Sequence, residues 1–261
     1  MKTPALAQQI IWLTGASTGI GEALVHALQA RCQHLFITAR NVEQLQALAE
    51  PYQNVTALAA DITDIAQLQQ VADHVRARFG RLDTVIANAG TCEYVDVDAF
   101  DHRLFERVFN TNVMGLVNTV EVALPLLRNS PRGYLTAVSS SVTYLAMPRA
   151  QAYGASKAAM THFMACMKAD LVHQGIDVSV ISPGFVKTPL TDQNDFPMPM
   201  RISAEDAAKA IIKGLEKRPW DIHFPKRFTR LLKFMGALPT TLRFAITANM
   251  SLKKGNKDSS L

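Results

Sequence analysis

The octapeptide Thr14–Gly21, TGASTGIG, ends the apolar run Ile10–Thr14 and opens an amphipathic stretch. Few features restrict a fold more. Its glycines, Gly15, Gly19 and Gly21, are spaced G-x-x-x-G-x-G, with Ser17 and Ile20 in the intervals. A strand that turns at once into a helix needs glycine where the backbone bends sharply. It also needs glycine wherever main chain must approach a pyrophosphate held on the helix N-terminus. The motif predicts a strand–turn–helix unit that cradles a dinucleotide.

The rest of the chain repeats that unit. Short apolar runs at Ile10–Thr14, Leu35–Ala39, Val55–Ala60, Thr84–Ala87, Tyr134–Val138, Val178–Ile181 and Asp221–Phe224 read as strands. Helical periodicity fills the intervals near 19–31, 42–50, 64–79, 99–128, 152–174 and 203–217. Such alternation predicts an α/β protein, a doubly wound parallel sheet with helices on both faces. With no Gly/Ser linker and no internal repeat, residues 1–225 read as one domain. The segment 188–203, TPLTDQNDFPMPMRIS, breaks the rhythm with three prolines and two methionines, as a lid or binding loop does.

Composition excludes several classes. A hydrophobic share of 48% with 19% charged residues supplies a globular core. No apolar run reaches the roughly 18 residues of a membrane span, and the N-terminus lacks a signal-peptide pattern. Three widely spaced cysteines, Cys32, Cys92 and Cys166, suit a reducing cytoplasm better than a disulfide framework or a zinc site. Cys92 reads as an ordinary thiol in preference to a reactive one. The histidines form no spaced cluster, so no metal site is expected, and His223 reads as structural. The net charge of +5 resides in the tail: from Lys226 onward eight basic residues face one acid, Asp258. A folded body without excess positive charge argues against nucleic-acid binding.

Arg40 follows the second strand, LFITA. An acid at that strand tip would accept hydrogen bonds from both ribose hydroxyls of NAD. Here the tip is Ala39, followed by a guanidinium, whose charge and fork geometry suit a ribose 2′-phosphate. NADP is therefore the expected cofactor, with NAD second.

From this point the sequence resembles the short-chain dehydrogenase/reductase family, over roughly residues 8 to 190. The resemblance implies a Rossmann fold and assigns further residues. Asp61 and Ile62 look like the family's adenine-pocket pair. Asn88, Ala89 and Gly90 look like its signature after the fourth strand, near the cofactor's adenosine side. NVMG places Asn112 where the family has a catalytic asparagine, expected to hold a relay water. AVSSS supplies the serine; of Ser139, Ser140 and Ser141, the family's offset of 13 from the tyrosine selects Ser140. ISPGFVKTP resembles the segment over the nicotinamide, with Pro183, Gly184, Val186 and Thr188 as contacts.

Tyr153 and Lys157, in QAYGASKAAM, stand four apart and so share a helix face. A free tyrosine, pKa about 10, is a poor proton carrier at neutral pH. A neighbouring ammonium and an oxidised nicotinamide would lower that value. Lys157 would also bond the nicotinamide ribose, and the small residues Gly154, Ala155 and Ser156 leave space for the cofactor. Asn112, Ser140, Tyr153 and Lys157 are thus the expected catalytic set.

The chain departs from the family after residue 225. In place of a short tail used in tetramer packing it has residues 226–261, a basic and partly amphipathic extension. A homodimer on the helices at 99–128 and 152–174 remains the family expectation, with the tetramer in doubt. Phe228, Leu231, Leu232 and Met235 follow helical spacing beside Arg227, Arg230 and Lys233. Leu242, Phe244, Ala245 and Ile246 form a second apolar patch before Lys253, Lys254 and Lys257. This pattern suits either a peripheral membrane contact or helices packed over the substrate mouth. The expected activity is hydride transfer between NADPH and a carbonyl or secondary alcohol, with a lipophilic ketone or aldehyde as substrate. The alternative is an NADP-binding sensor or scaffold without turnover, which an intact tetrad argues against.

Overall fold

Seven apolar segments become the strands of one parallel sheet in the computed structural model, which describes residues 5–252. They are β1 (Ile10–Thr14), β2 (His34–Thr38), β3 (Val55–Ala57), β4 (Thr84–Ala87), β5 (Tyr134–Val138), β6 (Asp177–Pro183) and β7 (Asp221–Phe224). Their order is β3-β2-β1-β4-β5-β6-β7, every pair parallel. The order reverses between β1 and β4, which opens a crevice at the carboxyl ends of those strands. All residues of β1, β2, β4 and β5 are buried, because helices cover both faces.

Those helices are α1 (Gly19–Leu28), α2 (Val42–Ala49), α3 (Ile65–Phe79), α4 (His102–Phe109), α5 (Gly115–Arg128), α6 (Gln151–Leu171), α7 (Pro189–Asp192), α8 (Ala204–Lys217), α9 (Lys226–Gly236) and α10 (Thr240–Leu252). Short polar side chains start several of them. Asn41, Asp64, Asp101 and Ser203 each accept hydrogen bonds from first-turn N–H groups, which would otherwise lack partners. Two clusters form the core, one on each face, centred on Trp12 and Phe36 and on Leu13 and Ile37.

Differences from the sequence reading have local causes. Strand β2 begins one residue early because His34 is buried, bonded through Nε2 to Thr56 Oγ1 at 2.8 Å and packed on Phe36 and Phe79. Strand β6 extends back to Asp177, whose carboxylate pairs with Arg132 and Arg218. Those guanidiniums hold its pKa below the ordinary carboxylate range against the upward push of burial. The helix expected across 99–128 is interrupted by a wide π turn, Asn110–Met114, and periodicity alone does not reveal such an insertion.

The tail forms two helices. Helix α9 turns Phe228, Thr229 and Leu232 inward, where Phe228 and Leu232 pack with Leu145. Close approach requires two glycines. A Cβ on Gly184 would lie 2.8 Å from Phe228 Cδ1, and one on Gly236 would lie 1.9 Å from the Tyr144 carbonyl oxygen. Lys233 Nζ and the Tyr144 hydroxyl both bond Asp221 Oδ2 at 2.6 Å. The apolar stripe read from sequence is therefore divided, for Leu231 faces outward. Lys253, Lys254 and Lys257 lie outside the described residues.

Candidate active site

Five consecutive strand ends, from β3 to β5, and the end of β6 bring the expected residues to one edge of the sheet. The glycine loop leaves β1 with Gly15 at φ +64° and Gly19 at φ +58°, a region that side chains rarely tolerate. A Cβ on Gly15 would stand 2.6 Å from Ala89 Cα, and one on Gly21 would stand 2.0 Å from the Gly15 carbonyl oxygen. Asn88 clamps the loop: its Nδ2 donates to the carbonyls of Thr14 at 3.2 Å and Gly15 at 2.8 Å. Thr14 Oγ1 accepts in return from the N–H groups of Asn88 and Ala89, both at 3.2 Å. Thr18, before α1, makes no side-chain cap, so the first-turn N–H groups are left for a ligand. Thr188 lies over the loop, 2.9 Å from where a Gly19 Cβ would be, and caps α7 through Thr191. An uncapped helix start behind bare glycines fits a pyrophosphate, so the residues present suit a dinucleotide.

Arg40 is exposed at the end of β2, beyond buried Ala39. Past β3, Asp61 Oδ1 accepts from Thr63 N and Thr63 Oγ1 at 2.9 and 2.8 Å. Ile62 is buried against Gly115, where an added Cβ would meet Ile62 Cδ1 at 2.3 Å. Its side chain is therefore core packing, and its carbonyl accepts from Asn118 Nδ2 at 3.1 Å.

The second half of the site gathers on α6. Lys157 is 4% exposed, and its ammonium donates to the Val138 carbonyl at 2.8 Å. Burial lowers its pKa to about 8. The ammonium lies 5.8 Å from the Tyr153 ring centroid, as the i, i+4 spacing requires. Burial also raises the Tyr153 pKa well above its ordinary value; Cys92 adds to the rise and a hydrogen bond with Ser140 opposes it. The sequence reading had the ammonium and an oxidised nicotinamide together lowering that pKa. Among the chain's own groups desolvation is the largest influence on the phenol, while the Lys157 ammonium donates to the Val138 carbonyl.

The three adjacent serines separate clearly. Ser139 Oγ turns into α6, 2.8 Å from Thr161 Oγ1, and Ser141 is buried. Ser140 hydrogen-bonds Tyr153, and its Oγ also accepts from Val142 N at 3.2 Å. Asn112 sits in the π turn, fully buried. Its Oδ1 accepts from Thr91 N at 2.8 Å, while its Nδ2 donates to Thr91 O and Ser156 Oγ, both at 2.9 Å. Ser156, read from sequence as clearance for a cofactor, is instead a buried support of Asn112. Gly90 touches this group: a Cβ there would lie 3.0 Å from Asn112 Oδ1 and 3.2 Å from Lys157 Nζ. Gly90 thus stands beside the lysine. Pro183 and Val186 are buried, and Val186 pairs with Ile202 at the far end of the 188–203 loop.

Phe196 in the 188–203 segment and Phe228 in the tail hint from sequence at a lipophilic substrate. Sequence reasoning did not find the wall they form with Tyr94 and Phe185 beside Tyr153. Tyr94 hydrogen-bonds Cys92 and Asn194, and its ring meets Phe196 edge-on at 5.4 Å. Phe196 leads to Phe185 at 6.1 Å, and Phe185 to Phe228 of α9 at 5.4 Å. Their only signal was aromatic residues scattered over three segments, with no period to connect them. Burial pushes the half-buried Cys92 thiol up to about 11, which suits an inert thiol. Among the described residues no cluster of metal-binding side chains occurs, and no helix is long and apolar enough to cross a membrane.

Comparison with known proteins identifies the family and the fold. Residues 9–197 match the family model for short chain dehydrogenase. An uncharacterized oxidoreductase of Myxococcus xanthus is 33% identical over 231 residues, covering 84% of this chain and 91% of that protein. The 11-beta-hydroxysteroid dehydrogenase 1A of Arabidopsis thaliana is 31% identical over 244 residues, 84% of this chain and 69% of the relative. A short-chain dehydrogenase from Streptomyces avermitilis superposes with a TM-score of 0.79 at 25% identity, covering 95% of this chain and 98% of that one. One from Burkholderia cenocepacia, in complex with NADP, gives 0.81 at 23% identity with 94% and 98% coverage, and shares the fold.

Proposed function

The chain belongs to the short-chain dehydrogenase family, and we propose that within it the protein is an NADPH-dependent reductase of lipophilic ketones or aldehydes. It is an NAD(P)-dependent oxidoreductase acting on CH–OH or C=O groups. The observation that carries the finer reading is the convergence of Ser140, Tyr153 and Lys157 at the strand ends beside an uncapped glycine loop. When bound, the nicotinamide supplies or accepts the hydride. The chain's own residues place the substrate and move the proton. Tyr153 gives its proton to the oxygen of the forming alkoxide, which the Ser140 hydroxyl holds by a hydrogen bond. Lys157 sets the charge beside the phenol and would bond the nicotinamide ribose. Asn112 acts as a positioning residue, since its amide ties the Thr91 backbone to Ser156, the neighbour of Lys157 on α6.

Under this reading Gly15, Ser17, Gly19, Ile20, Gly21, Asp61, Ile62, Asn88, Ala89, Gly90, Pro183, Gly184, Val186 and Thr188 line the cofactor. Residues 1–225 form the catalytic domain and 226–261 its extension. The half-buried rings of Tyr94, Phe185 and Phe196 support a lipophilic substrate. The unit is a homodimer, and the extension makes a peripheral membrane contact.

The NADP preference rests on Arg40. Arg40→Ala is expected to raise the Kd for NADPH about tenfold or more, the worth of a charge-assisted contact, and to change NADH binding little. Fluorescence titration with both nucleotides checks this, and equal losses for the two would remove the 2′-phosphate role. The lysine gives a pH profile. A base whose pKa is lowered to about 8 is charged below that value and neutral above it. Tyr153, with its pKa raised, keeps its proton throughout this range. Reduction is therefore expected to be level near neutrality and to fall above about pH 8, as the Lys157 cation is lost. A rate that climbs steadily to pH 10 would contradict the assignment.

A further inference from the structure

Helix α9 has two apolar sides. Phe228 and Leu232 pack inward, while Leu231 and Phe234 remain 49% and 65% exposed. In α10, Leu242, Phe244 and Met250 are 47%, 60% and 41% exposed. Five large apolar side chains on two consecutive helices thus lie in water, more than scattered surface residues account for. Cations share these helices. Lys226, Arg227 and Arg230 are exposed on α9, and the sequence continues through Arg243 to Lys253, Lys254 and Lys257 with no acid before Asp258. Asp221, an acid that acts on Lys226, is already held by Lys233 and Tyr144.

We propose that α9 and α10 form a docking face for an anionic lipid bilayer, with Leu231, Phe234, Leu242 and Phe244 entering the headgroup boundary and the cations meeting lipid phosphates. Exposed apolar side chains on the same helices as the exposed cations Lys226, Arg227 and Arg230 complement that surface on both counts. A second copy is a poorer occupant. A two-fold interface sets the same patch against itself, and here it would set Arg227 and Arg230 against identical charges without an acid between them. Nucleic acid would engage the cations and leave the aromatic and aliphatic groups in water. The face is also continuous with the site: Phe228, on the inner side of α9, contacts Phe185, which leads to Phe196 and Tyr94. Docking would therefore bring the aromatic wall near a store of lipophilic substrate. That purpose rests on the proposed reductase reading; the lipid binding does not.

The test uses the full chain and two vesicle types, phosphatidylcholine alone and phosphatidylcholine mixed with phosphatidylglycerol. Co-sedimentation is expected with the mixed vesicles only and is lost at high salt. Phe234→Glu/Leu242→Glu, on exposed side chains outside the core, is expected to weaken it about tenfold or more, and Arg227→Gln/Arg230→Gln similarly. Turnover of a water-soluble aldehyde with NADPH is measured alongside. If both variants keep that turnover and lose sedimentation, the face is confirmed independently of the site. Failure of the wild-type chain to sediment with mixed vesicles overturns the proposal, even where the aldehyde is reduced. So does equal binding to both vesicle types, or a Phe234→Glu/Leu242→Glu protein that binds vesicles normally but changes oligomeric state. Absence of aldehyde turnover with lipid binding intact instead counts against the reductase reading alone.

Discussion

Tyr153→Phe is expected to lower the rate of carbonyl reduction by about 10²–10⁴-fold, the usual contribution of a positioned proton donor, while NADPH binding stays within about twofold. The substitution removes one oxygen and keeps the ring, so the 5.8 Å contact of Lys157 with that ring survives. What disappears is the hydroxyl that hydrogen-bonds Ser140. Burial makes the case sharper. The Tyr153 phenol holds its proton more firmly than a free tyrosine, which makes it a weaker acid but keeps the proton in place at neutral pH, and an alkoxide is a strong enough base to take it. Stopped-flow measurement of NADPH oxidation, with nucleotide titration in parallel, separates chemistry from binding. Undiminished turnover in the Phe variant would end the mechanism, and tight NADPH binding without turnover in the wild type would favour a non-catalytic sensor.

The sequence carried the sheet well because burial on both faces gives strands that are apolar along their whole length, as in Ile10–Thr14 and Thr84–Ala87. It carried less where a polar residue joins the core by finding a partner. His34 and Asp177 begin strands for that reason, and apolar content does not reveal them. The tetrad was legible from spacing, since i, i+4 on a helix fixes a common face. The supports of the tetrad were not. Ser156 is adjacent to Lys157 in sequence, yet its task is set by Asn112, which reaches it from another helix. Likewise the direction of the Tyr153 pKa depends on depth of burial, which cannot be read from an interval. Gly184 and Gly236 show the same limit. Each is small because α9 approaches closely, a fact of packing between segments distant in the chain.

Gly21→Ala is expected to raise the Kd for NADPH about 100-fold or more, the equivalent of roughly 3 kcal/mol of overpacking. The new Cβ would sit 2.0 Å from the Gly15 carbonyl oxygen and 2.9 Å from Asn88 Nδ2. Both are fixed: the carbonyl is backbone, and Asn88 is committed to the Thr14 and Gly15 carbonyls. Relief therefore comes only by moving the loop away from β4 or tilting the start of α1. Either movement displaces the N–H groups that would meet a pyrophosphate. The sheet does not depend on Gly21, so the variant is expected to keep its circular dichroism spectrum while losing the rise in Tm that NADPH gives the wild type. A variant with normal spectrum and normal nucleotide-dependent Tm would show that the loop accommodates a methyl group. It would then not be the close-fitting cradle that its spacing and geometry describe.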